Sequence, residues 1–97
     1  MGQPEAEIAI YDGIVADFSD AENLELRVQL AKALYNKGYM LCEIGRDGDG
    51  IASFDEVLRR FGGSTEPRLR ESEVIEWVEF AKEEKAKLVR KQTESSR

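Results

Sequence analysis

The chain has 97 residues and a formal net charge of -6, from 20 acidic residues, 14 basic residues and no His. Hydrophobic residues make up 41% and charged residues 35% of the chain, which is typical of one small folded domain and of neither a disordered chain nor a membrane protein. Because there is no His and only one Cys, the usual zinc sites and Ser–His or Cys–His catalysis are excluded.

The cysteine content and the N-terminal residues predict the compartment. Cys42 has no partner for an intramolecular disulfide, which favours a reducing environment. Residues 1–7 lack the basic and apolar segments of a signal peptide, and no apolar run reaches the about 18–20 residues of a membrane span. The excess of acidic over basic residues disfavours binding to the phosphate backbone of nucleic acid. We therefore predict a cytoplasmic, non-enzymatic protein with no catalytic residues, no cofactor, no metal, and no nucleic-acid or membrane partner.

Apolar residues recur at helical spacing, and no segment alternates as a strand does. The first predicted helix covers residues 5–18. The second covers residues 24–44 and carries two apolar stripes, which indicates a helix packed between neighbours on both sides. The stripes are Leu24, Val28, Ala31, Leu34, Gly38 and Leu41, and Leu26, Leu30, Ala33 and Met40.

Glycine and proline mark the boundaries of the remaining helices. A Gly-rich turn is predicted at residues 45–50, followed by a short amphipathic helix over residues 51–61 that a Gly-Gly pair ends. A proline typical of a first helical turn introduces the last helix, predicted over residues 66–90. Residues 91–97 are predicted to be a frayed tail.

An internal repeat relates the two halves of the chain. Residues 8–27 align without a gap on residues 51–70, at an offset of 43 residues. Such a repeat is the signature of stacked helical hairpins, which bury their apolar faces only against neighbouring repeats. The identical pairs are Ile8/Ile51, Ala9/Ala52, Asp12/Asp55, Phe18/Phe61, Leu26/Leu69 and Arg27/Arg70.

The offset divides the single predicted domain, residues 1–97, into parts of three repeats. Residues 5–18 are the second helix of a partial repeat. Residues 22–62 are a complete repeat, and residues 66–90 are the first helix of a third repeat. The offset also places Trp77 of the last helix in register with Leu34 of the second.

Seven positions of the complete repeat are separated by intervals of 3, 1, 3, 9, 4 and 8 residues. The last helix repeats the first two intervals with Trp77, Phe80 and Ala81. The seven are Leu34, Lys37, Gly38, Leu41, Gly50, Phe54 and Gly62. This pattern resembles the tetratricopeptide repeat family. The departures are Lys37 at an apolar position, Glu84 in place of Tyr, Gly62 in place of Pro, and a period of 43 against the family's about 34.

The resemblance implies an all-α fold in which about four helices form antiparallel hairpins stacked as a right-handed solenoid. Gly38 and Ala81 would let two helices approach closely, Gly50 would do the same from the partner helix, and Phe54 would fill the gap between repeats. Phe54 and Trp77 are accordingly predicted to be core aromatic residues.

The resemblance also implies a groove, lined by the first helix of each repeat, that binds peptides. The basic pair that some members use to hold a C-terminal carboxylate is missing, because Ile75 and Glu79 occupy those positions. We therefore predict a scaffold for a protein or peptide partner that the sequence does not identify. The groove residues implied by spacing are Lys32, Tyr35, Asn36, Tyr39, Cys42, Ile75, Val78, Glu79 and Lys82.

An alternative function follows from residues 45–56, which resemble an EF-hand calcium loop. Gly45 takes the place of the first Asp ligand, and Ala52 takes the place of the usual Ile or Val, so we expect no tight calcium binding. A helical domain that binds a divalent cation stays open as an alternative. The residues in register with the loop are Asp47, Asp49, Gly50, Ser53 and Glu56.

The terminal helices predict self-association, because neither has the other helix of its own repeat. The last helix would present Trp77 and Phe80, and contiguous apolar surface of this kind usually marks an interface. We expect homo-oligomerisation through the terminal helices, with a self-assembly module of a longer repeat protein as a further alternative. The first helix would present Ile8, Tyr11, Ile14, Val15 and Phe18.

Overall fold

The computed structural model describes residues 3–62 and 73–95, which form four α-helices and no strand. The predicted all-α class is confirmed. The predicted helix start at residues 66–72, including its proline, lies outside the described residues. The helices are α1 (Pro4–Phe18), α2 (Leu24–Glu43), α3 (Asp47–Val57), which continues as a π-helical turn (Leu58–Gly62), and α4 (Val74–Ser95).

Local chemistry sets the limits of α1 and α2. Pro4 occupies the first turn of α1, where its missing N–H costs nothing. Asn23 caps α2, and its Oδ1 accepts hydrogen bonds from the backbone N–H groups of Glu25 at 2.8 Å and Leu26 at 3.3 Å. The C-terminus of α2 is closed by Gly45, which has a φ of +83°, a left-handed conformation that favours glycine. The backbone N–H of Arg46 then donates a hydrogen bond to the Leu41 carbonyl at 2.8 Å, and this bond completes a Schellman motif.

Two predicted boundaries are wrong. The turn predicted at residues 45–50 is shorter, because α3 already begins at Asp47, whose carboxylate favours a helix N-terminus. The tail predicted as frayed is helical through Ser95. It is held by the Lys91 ammonium, 3.1 Å from the Asp47 carboxylate, and by the Thr93 hydroxyl, which donates to the Val89 carbonyl at 3.0 Å.

Helix α2 is the centre of the fold and contacts α1, α3 and α4. Its two apolar stripes are therefore explained by neighbours on more than one side, as the sequence predicted. No helix within residues 3–62 and 73–95 is long and apolar enough to cross a membrane. The buried core residues that cluster together are Leu30, Ala31, Leu34, Phe54, Val57, Phe61, Val74, Val78, Ala81 and Leu88.

Helices α2 and α3 approach each other closely where both carry glycine. A Cβ added to Gly38 would lie 2.7 Å from the Phe54 ring, and a Cβ added to Gly50 would lie 2.5 Å from the Cys42 sulfur. Neither side chain fits without a shift, because real Cβ atoms do not approach that closely. The Ser53 hydroxyl also donates to the Leu34 carbonyl at 2.7 Å across this contact. The close approach predicted for Gly38 and Gly50 is confirmed.

The repeated sequence does not produce repeated contacts between each short helix and the long helix that follows. Asp12 of α1 pairs with Lys37 of α2, whereas its repeat equivalent, Asp55 of α3, pairs with Lys85 of α4. Lys85 lies five positions away from the residue equivalent to Lys37, which is Phe80, and so on a different side of its helix. The repeat-equivalent aspartates therefore pair with lysines at non-equivalent positions of the long helices.

The expectation that α1 exposes its whole apolar face is also wrong in part. Ile8 is buried and 9% exposed, because α1 packs on α2, and Tyr11 and Phe18 are half-buried. Ile10, on the other side of α1, is 62% exposed. The apolar face predicted to be free is therefore largely covered within the chain.

Candidate peptide-binding surface on helices α2 and α4

An aromatic cluster joins α2 to α4. Its central residue is Tyr35, whose ring centroid lies 5.4 Å from that of Trp77, 5.9 Å from that of Phe80 and 6.4 Å from that of Tyr39. Trp77 and Phe80 meet edge to face, with centroids 5.7 Å apart. Contacts at these distances and tilts are the favourable arrangements of aromatic rings. We call Tyr35, Tyr39, Trp77 and Phe80 the aromatic patch.

Six of the nine groove residues lie at matching positions on the two long helices. On α2 the sequence spacing i, i+4, i+7 puts Lys32, Asn36 and Tyr39 on one side, and on α4 the same spacing puts Ile75, Glu79 and Lys82 on one side. Asn36 is half-buried and the other five are exposed. Lys82 and Glu79 pair with each other at 3.5 Å, which is a weak surface interaction.

Two of the predicted groove residues face the interior. Val78 is 1% exposed and belongs to the core, because α4 turns this side toward the rest of the bundle. Cys42 is half-buried, and its sulfur lies against Gly50 of α3. Burial, with the negative charges of Asp47 and Glu84, raises the pKa of the Cys42 thiol to about 11. Val78 therefore cannot line a groove, and the Cys42 thiol packs toward α3 and is protonated at neutral pH.

Tyr35 is half-buried, and its ring contacts the other three rings of the aromatic patch. Burial raises the pKa of its hydroxyl, and the charges of Glu84, Tyr39 and Glu83 raise it further. The prediction that Phe54 and Trp77 are core aromatics is confirmed for Phe54, which is fully buried, while Trp77 is half-buried. The Trp77 ring therefore belongs both to the core and to the candidate surface.

The residues in register with a calcium loop lie on the helix α3 and do not converge. Each acidic side chain among them has a basic partner, and the Ser53 hydroxyl donates a hydrogen bond to the Leu34 carbonyl. No group of three or more acidic, Cys or His side chains within the described part of the chain could hold a metal ion. The pairs are Asp47 with Lys91, Asp49 with Arg46, and Glu56 with Arg59 and Arg60.

Glu56 also ties α3 to the rest of the chain. Its hydrogen bonds to Arg59 and Arg60 hold the pKa of its carboxyl below the usual range. Arg60 in turn donates to the Ser19 carbonyl at 3.2 Å and to the Ser19 hydroxyl at 3.1 Å, beyond the end of α1. These bonds give Glu56 a structural role in place of metal ligation.

A second concave surface, which the sequence did not reveal, lies between α1, α2 and α3. It is an open cleft of about 500 Å³. Four of its charged groups form two pairs, since Lys37 lies 2.6 Å from Asp12 and Arg46 lies 2.6 Å from Asp49. Lys37, at an apolar position of the repeat pattern, lines this cleft. The lining includes Ile8, Val15, Leu34, Leu41, Ala52, Ser53 and Glu56.

The chain matches no protein-family model, no curated protein and no solved structure.

Proposed function

We propose that the chain is a non-enzymatic, cytoplasmic helical-repeat module that binds a protein or peptide partner on the surface of α2 and α4. In this proposal the helices are stacked as a tetratricopeptide-like right-handed solenoid fragment. The sequence repeat, the resemblance of its spacing and the glycine contact between α2 and α3 support this arrangement.

The observation that carries the proposal is the half exposure of large side chains where α2 meets α4. Tyr39 is 46% exposed and Phe80 is 43% exposed, next to the amide of Asn36. Tyrosine and asparagine provide contact area and adaptable hydrogen bonds at low entropic cost, and aromatic residues are enriched in binding hot spots. A partner would bury apolar surface that the isolated chain leaves in water.

Selection of displayed peptides on the folded chain tests this function. Enriched peptides are titrated against the chain with Trp77, its one tryptophan, as the fluorescent reporter. We expect Tyr39→Ala to weaken binding by about tenfold or more, as for a hot-spot residue. Ile10→Ala is the matched control, because Ile10 is an exposed apolar residue on α1. Equal loss in both variants, or no enrichment at all, would contradict the proposal.

A self-assembly module is a second candidate, supported by exposed apolar side chains on both terminal helices. Ile10 on α1 is 62% exposed and Val89 on α4 is 44% exposed. A second copy could cover such residues in the way that homodimer interfaces do. Light scattering over a concentration series tests it. A mass that rises above the 11.0 kDa of one chain supports self-assembly, and a constant mass contradicts it.

A further inference from the structure

The aromatic patch offers ring surface to solvent from both long helices. Tyr39 contributes from α2 and Phe80 from α4, and both rings contact the Tyr35 ring between them. Because Tyr39 and Phe80 are each more than two fifths exposed, their rings are accessible to a ligand without any rearrangement. Aromatic faces carry negative potential and attract cations placed within about 6 Å of the ring centroid.

The charges beside the patch have the same sign as the ring faces. The carboxylates of Glu84 and Glu83 both act electrostatically on Tyr35. Glu83 is exposed and forms no ion pair with any residue in the described ranges. Its charge is therefore available to a ligand.

Nearby lysines of α4 do not reverse this sign, because each is matched by a carboxylate. Lys82 pairs with Glu79, Lys85 pairs with Asp55 of α3, and Lys87 pairs with Glu84 at 3.4 Å. The Lys82–Glu79 and Lys87–Glu84 pairs, at 3.5 Å and 3.4 Å, are both long surface pairs that neutralise their members only in part. Glu83, which has no ion pair in the described ranges, therefore contributes a negative charge that these lysines do not cancel. The surroundings of the patch thus favour a positively charged occupant.

We propose that the aromatic patch binds the guanidinium group of an arginine in the partner peptide, with Glu83 as its counter-ion. The inference rests on the proposed function and names the partner's chemistry. Arginine suits the site better than lysine, because its planar group stacks on aromatic rings while its N–H groups bond to a carboxylate. The whole chain, with its net charge of -6, would also attract a basic segment at long range.

Nuclear magnetic resonance of the ¹⁵N-labelled chain gives a direct test, with the indole N–H of Trp77 as the reporter in the patch. The probe is a short acetylated and amidated peptide with one central arginine between glycine and serine residues. The comparison peptide has citrulline, which has nearly the same shape and no charge, in place of arginine. We expect saturable shifts with the arginine peptide and binding weakened by about threefold to tenfold with the citrulline peptide.

Matched variants separate a specific site from general attraction. Glu83→Gln should weaken the arginine peptide by about threefold to tenfold, and Tyr39→Leu, which keeps apolar bulk but removes the ring, should do the same. Glu94→Gln is the control, because Glu94 is exposed near the far end of α4 and its loss changes the net charge equally. It should leave the affinity unchanged within twofold.

Several results would overturn the inference. Equal binding of the two peptides, equal loss in Glu83→Gln and Glu94→Gln, or no shift of the Trp77 indole at millimolar peptide would each do so. Shifts that depend on protein concentration without peptide would assign the patch to a second copy. Displayed peptides that depend on Tyr39 but contain no basic residue would leave the proposed function standing and remove this inference alone.

Discussion

The packing of α2 against α3 can be tested by replacing either of two glycines of α3, Gly48 or Gly50, with alanine. Both lie within the helix, and replacing a helical glycine by alanine ordinarily stabilises a protein by about 0.5–1 kcal/mol. A Cβ on Gly48 meets nothing within 4 Å, so Gly48→Ala should show this gain or part of it. A Cβ on Gly50 would lie 2.5 Å from the Cys42 sulfur and 2.9 Å from the Gly38 carbonyl oxygen.

Overpacking of a tight contact costs about 1–3 kcal/mol, so Gly50→Ala should be less stable than Gly48→Ala by about that amount. Urea unfolding followed by circular dichroism measures the free energy of unfolding of each variant. In thermal unfolding, the difference corresponds to about 4–8 °C for each kcal/mol in a domain of this size. Equal stability of the two variants would refute the close approach of α2 and α3.

The source of the clash can be separated with Cys42→Ala. In the Gly50→Ala background this change removes the sulfur contact but leaves the Gly38 carbonyl in place. Stability should therefore recover only in part, and the double-mutant cycle should show coupling between the two positions. Full recovery would mean that the backbones of α2 and α3 are farther apart than described.

Three further predictions follow from the same structure. Phe54→Ala should lower the free energy of unfolding by about 3–5 kcal/mol, because the ring is fully buried, and a near-neutral result in urea unfolding would contradict its position. Cys42 should react with iodoacetamide at pH 8 about a hundredfold more slowly than a free thiol, because its pKa is raised from 9.0 to about 11. The folded chain holds this proton more tightly, so the contribution of Cys42 to stability is complete below pH 9 and lost as the pH rises through 11. Calcium titration calorimetry at physiological salt should show no micromolar binding, because Asp47, Asp49 and Glu56 already have basic partners; a micromolar dissociation constant lost in Asp49→Ala would contradict this.

Features encoded by local spacing could be predicted from the sequence. The apolar period gave α2 within one residue at its end, and the two stripes on it correctly indicated neighbours on several sides. Glycines at the crossing of α2 and α3 were recognised because close helices leave no room for a Cβ. The C-terminal limit of α4 was missed, because the Lys91 contact with Asp47 joins residues that are distant in sequence.

Helical spacing in the sequence predicted only part of the candidate surface correctly. Spacing identified Lys32, Tyr39 and Ile75, which are exposed. It failed at Cys42 and Val78, because the rotation of each long helix about its axis depends on which neighbours it contacts. A repeat in sequence does not determine such a rotation.

The central claim is that a partner binds where α2 and α4 meet. The most direct measurement is the change in amide and indole resonances when a display-selected peptide is added to the ¹⁵N-labelled chain. We expect the largest changes at Asn36, Tyr39, Ile75 and the Trp77 indole, with α1 unaffected. Changes concentrated at Asp12 and Lys37, in the cleft between α1, α2 and α3, would contradict the claim and assign binding to that cleft.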